Sequence, residues 1–62
     1  MSTREALEMA IADEAQARDK YHELARQAED PESRILFEQL AREEESHHKR
    51  LSERLRAIKL LG

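Results

Sequence analysis

Ala28-Glu29-Asp30-Pro31-Glu32-Ser33 is the one break in an otherwise continuous helical pattern, and the fold follows from it. Proline is tolerated at the first position of a helix, and aspartate just before it is a strong N-cap, so a second helix starts at about residue 31. Upstream, Ser2 followed by Glu5 has capping-box spacing, which predicts a first helix over about residues 3–29. Downstream, the second helix runs to about residue 61, with Gly62 where a C-terminal cap would stand. At ~1.5 Å per residue both helices would be roughly 40 Å long. A connection this short forces them antiparallel, as an αα-hairpin, and the fold class is all-α.

Each helix carries an apolar stripe with a heptad-like alternation of three- and four-residue steps. In the first helix it reads Leu7, Ala10, Glu14, Ala17, Tyr21, Leu24, Ala28, while Arg4, Glu8, Arg18, Lys20, Arg26 and Gln27 form a polar face expected in solvent. In the second it reads Phe37, Leu40, Glu44, His47, Leu51, Ile58, Leu61, flanked by Leu36 and Leu55. Glu14 is the only charge on the first stripe. Glu44 and His47 interrupt the second, between Leu40 and Leu51. Glu44-Glu45-Ser46-His47 is a Glu-x-x-His step, whose i, i+3 spacing puts a carboxylate and an imidazole on one helix face. Counted from the turn, Glu14 lies about 17 residues back and Glu44 about 13 forward, so an antiparallel hairpin brings them within roughly one ~5.4 Å turn of each other in height.

A carboxylate in an apolar seam loses hydration at a high cost unless something compensates it. One Glu on one helix and a Glu-x-x-His on the next form half of the ligand set of a four-helix-bundle di-iron site. A chain of 62 residues has room for two such helices, so a second copy is needed to complete the set. The pair of hairpins would gather four carboxylates and two imidazoles, and a charge of −4 would be neutralised by two divalent cations. Mixed carboxylate and imidazole ligation suits iron or manganese.

Composition narrows the alternatives. The chain has no cysteine, which excludes disulfides, iron–sulfur clusters and cysteine-ligated zinc. Charged residues make up 40% and aromatics 3%, yet the apolar residues are periodic, which argues for helix over disorder. The net charge of −3 is spread over both signs, with no basic patch or aromatic platform for nucleic acid. No apolar run approaches the roughly 18 residues of a membrane span. Met1-Ser2-Thr3-Arg4-Glu5 lacks the apolar segment of a signal peptide, so the expected location is the cytoplasm.

Plainer readings stand beside each of these. Glu43-Glu44-Glu45 also reads as a solvated acidic run, and His47-His48 as surface decoration. The competing step, Glu45 with His48, shares a row with Arg42 and Ser52 and is expected to face solvent. Tyr21, two turns after Glu14, is either an ordinary core tyrosine or a phenol near the metals, donating a hydrogen bond or an electron. His22 reads as a surface residue, and Met9 and Phe37 as packing.

Ala10-Ile11-x-x-Glu14-x-x-Ala17-x-x-x-Tyr21, followed by Leu40-Ala41-x-x-Glu44-x-x-His47, resembles the ferritin-like di-iron superfamily, especially rubrerythrin-type sequences. With two helices the chain looks most like encapsulated ferritin. That resemblance implies a homodimer closing a ferritin-like four-helix bundle around a ferroxidase centre, with Glu14, Glu44 and His47 as ligands to two irons, Glu44 as the bridge, and Tyr21 beside the site. It further implies a ring-like oligomer and an encapsulin shell around it. Asp13 keeps one accessory acidic position of that family and Gln16 replaces another. The expected activity is oxidation of Fe(II) with oxygen or peroxide. The alternatives are a rubrerythrin-like peroxide reductase with an external electron donor, and a metal-free helical dimerisation module.

Overall fold

The computed structural model describes residues 1–62 and contains two helices, α1 (Thr3–Gln27) and α2 (Pro31–Leu61), with no strand. The capping box forms: the Glu5 amide donates to Ser2 Oγ at 3.0 Å, and the Ser2 amide donates to Glu5 Oε1 at 3.0 Å. At the second N-terminus the Ser33 amide donates to Asp30 Oδ2 at 2.8 Å, with Pro31 opening the helix.

The first helix stops at Gln27, two residues short of the predicted end. Ala28 is extended (φ −62°, ψ 134°) and caps the helix by donating its amide to the Ala25 carbonyl at 3.3 Å. Proline excludes the α conformation from the residue before it, and Asp30 is accordingly extended at φ −129°, ψ 151°. The chain must already have left α1 by then to reverse direction.

Three pairs of side chains show that the helices run antiparallel. Tyr21 stacks on Phe37 near the turn, Arg18 bonds Glu45 further out, and Glu14 meets His47 further still. The molecule measures 48 × 17 × 11 Å, two helices side by side.

The seam between them is rotated from the one expected. Its protected row is Leu7, Ile11, Glu14, Arg18, Tyr21 and Ala25 in α1, continued by the cap residue Ala28, and in α2 Phe37, Ala41, Glu44, His48, Leu51, Leu55, Ile58. Both rows keep the three–four alternation but start it with the four-residue step. They share every second residue with the sequence stripes, including Glu14 and Glu44, and replace the residues between. The reason is that a helix two residues wide at its apolar stripe has two flanks, and a partner packs against one of them. Ala25 and Ala41, 5% and 0% exposed, are the only two buried residues, and both fall on the flank the stripes left out. Ala10, Ala17, Leu24 and Leu40 lie on the other flank, half-buried, and His47 on that side is exposed. Arg18, assigned to the solvated face, sits instead in the seam. Leu61 is 86% exposed because α2, at 31 residues, overhangs α1, at 25. Leu36 is exposed too, at 51%.

Candidate metal centre

Glu14 comes from the middle of α1, and Glu44 and His47 from the middle of α2. One ligand atom from each lies within 4.8 Å of the others. His47 Nδ1 stands 3.4 Å from Glu14 Oε2 and 3.9 Å from Glu44 Oε2. The i, i+3 spacing stacks Glu44 and His47 on one face, and the antiparallel turn brings Glu14 to their height. The two carboxylates are the more enclosed, with side chains 25% and 20% exposed, against 47% for His47.

The electrostatics of this group are unfavourable in the bare chain. Glu14 Oε2 is shut off from solvent and accepts no hydrogen bond. Glu44 is pushed above the ordinary carboxylate range, first by the adjoining Glu14 carboxyl, with which it can share a proton, then by burial and by Glu14's charge. His47 and Glu43 act in smaller and opposite ways. An orphaned carboxylate oxygen beside a second carboxylate and an imidazole is an arrangement that could hold a metal ion. The oxygen and nitrogen donors fit iron or manganese.

Arg50 and Leu51 complete a cleft over Glu14 and His47. Arg50 escaped the sequence reading, although it lies one turn beyond His47. Tyr21 is stacked on Phe37 with ring centroids 6.4 Å apart and planes 20° from parallel, two turns along the seam from Glu14. Its ring packs on Phe37, and that contact leaves its role beside the site open to either reading. Met9 is 54% exposed and does not pack, whereas Phe37 does.

Glu45 is exposed as expected, while His48 is half-buried. Glu45 Oε2 accepts from Arg18 Nη1 at 2.7 Å across the hairpin, and Arg18 also bonds Asp19 at 3.1 Å. The Arg18 hydrogen bond holds Glu45 below its usual range, and Glu45 in turn raises Arg18. Arginine can lay its stem over a seam while its head stays at the rim, which explains a half-buried Arg18 there. His48 is half-buried on the same flank. Glu45 already has a cation, and Glu14 and Glu44 do not.

No helix is long and apolar enough to cross a membrane. No curated protein and no solved structure matches the chain significantly. The family model for rubrerythrin matches residues 5–60, a stretch that contains both helices' site residues. Spanning nearly all of the sequence, that match shows that the chain belongs to the rubrerythrin family, a ferritin-like di-iron family.

Proposed function

We propose that two copies of this chain close a four-helix bundle through their open flanks, and that Glu14, Glu44 and His47 of both hold two iron ions at which Fe(II) is oxidised. The observation that carries this reading is the meeting of the three side chains within 4.8 Å, with Glu14 Oε2 enclosed and without a hydrogen bond. Two buried residues out of 62 are too small a core for a lone hairpin, and a second copy would cover Ala10, Ala17, Leu24 and Leu40.

In this reading iron is the substrate. Each Fe(II) gives up one electron, and oxygen or peroxide accepts it. Glu14 and Glu44 would bind the cations and offset their charge, and His47 would supply the nitrogen donor. Manganese would satisfy the same donors. Tyr21, held by Phe37, is the nearest phenol and would supply an electron or a hydrogen bond. Storage of the product would need a ring-like assembly or an encapsulin shell, since one bundle encloses no mineral cavity.

Metal analysis of the purified protein together with its solution mass tests the assembly. About one iron per chain in a dimer or larger species is expected. A cooperative, folded monomer at micromolar concentration, or a chain that takes up no metal, would leave the metal-free helical module as the reading. The family match favours one other activity, reduction of peroxide at the same site with electrons from a separate donor, since the chain has no cysteine to hold an iron centre of its own. Peroxide turnover that requires an added reductant would favour it, whereas steady Fe(II) consumption without one favours the first.

A further inference from the structure

We infer that Arg50 is the counter-ion of the metal-free site, and that a metal must displace it. The inference rests on the proposed metal site and concerns what occupies that site before the metal does. Four residues line the cleft over the site, and Arg50 is the one permanent cation among them, beside Glu14, His47 and Leu51. Its guanidinium makes no ion pair with the rest of the chain, unlike Arg18 or Arg26, whose carboxylates are close at hand. Glu14 Oε2, in the same cleft, is enclosed and accepts no hydrogen bond, and its nearest charge-bearing neighbour is His47 Nδ1 at 3.4 Å, an imidazole that is a cation only when protonated.

A cation without an ion pair, on a long flexible arm, and an enclosed carboxylate oxygen without a hydrogen bond therefore line one cleft. A guanidinium beside Glu14 satisfies the orphaned oxygen with a charge-assisted hydrogen bond. It also relieves the repulsion between Glu14 and Glu44. A metal held by Glu14 takes up the carboxylate that the guanidinium would bond, so the two cations compete for it. Metal entry returns Arg50 to solvent, so Arg50 stabilises the empty site and opposes loading of the full one. A packing residue would act with the same sign on both states and a ligand carboxylate favours the loaded one, whereas Arg50 favours the empty one.

The test is a double-mutant cycle on the metal-free protein at fixed concentration, paired with a Co(II) titration followed by visible absorbance. Arg50→Gln should lower the stability of the metal-free protein when Glu14 is present and leave it unchanged in a Glu14→Gln background. The same Arg50→Gln change should raise Co(II) affinity several-fold, and Arg50→Lys should behave like wild type in both. Absence of coupling between Arg50 and Glu14 overturns the inference, and so does a Co(II) affinity that falls or stays level. If the wild-type chain binds no Co(II), the proposed function falls, while the metal-free cycle still decides whether Arg50 is the partner of Glu14.

Discussion

His47 Nδ1 lies 3.4 Å from Glu14 Oε2 across the helix–helix seam, while the next residue, His48, is carried about 100° around α2 to the flank where Arg18 holds Glu45. Two overlapping Glu-x-x-His steps thus point to opposite sides of one hairpin. Paired substitutions separate them. Replacing Glu45 and His48 with alanine should leave bound iron and Fe(II) oxidation close to wild type. Replacing Glu44 and His47 should abolish both, because each metal would lose its imidazole and at least one carboxylate. Stopped-flow absorbance after mixing Fe(II) with aerobic protein reads the outcome. A dead 45/48 variant would place the site on the Arg18 flank instead.

Removing a ligand should not weaken the metal-free protein. Glu44→Gln keeps the shape of the side chain and removes a charge from beside Glu14. We expect metal uptake to drop sharply while the metal-free melting temperature stays level or rises. A clear fall in that temperature, measured by circular dichroism with chelator present, contradicts the like-charged placement of Glu44.

The pH dependence has a definite sign. Glu44 is raised in the fold, chiefly by Glu14, so the folded state binds more protons than the unfolded one over that interval. Its stabilising contribution is full below the ordinary glutamate value and is lost as pH rises through the raised value. Glu5, Glu23, Asp30 and Glu45 are lowered by their hydrogen bonds and work the other way, losing stability as pH falls. The difference between metal-free wild type and Glu44→Gln isolates the first effect. Wild type should lose ground to the variant as pH rises from the ordinary glutamate value of about 4.3 through the raised one. Saturating metal should reverse the trend, since cations favour the charged carboxylates. A flat difference across this range counts against the pairing.

Packing at the seam gives a test that needs no metal. Ala41 is fully enclosed, so Ala41→Leu should cost about 1–3 kcal/mol through overpacking. Leu61, 86% exposed on the overhang, should tolerate alanine with a change within about 0.5 kcal/mol. Urea denaturation compares the two directly. Equal costs would mean that α2 is rotated from its observed setting.

The N-terminal capping box offers an independent check on α1. Ser2→Ala removes the acceptor of the Glu5 amide and should cost about 1 kcal/mol, with the loss visible as fraying of the first turn in hydrogen exchange. No loss of protection in that turn would show that the cap is not formed in solution.

The sequence by itself determined the two helices, the turn, the caps at Ser2 and Asp30, and the level at which Glu14 meets Glu44 and His47. These follow from local chemistry: a proline that cannot continue a helix, side chains that bond the nearest free amides, and a fixed rise per residue. The tertiary structure decided which flank of each stripe the partner helix covers. Glu14 and Glu44 are common to both flanks, so their meeting was legible in either case. Ala25, Ala41, Arg18 and His48 belong to one flank alone, and nothing local distinguishes them from Leu24, Leu40, Ala17 and His47. Only the approach of the second helix makes that choice, because close packing of small residues and the reach of Arg18 to Glu45 exist only once the two surfaces touch. The end of α1 at Gln27 was likewise set by the reversal of the chain, a constraint that one helix read alone does not contain.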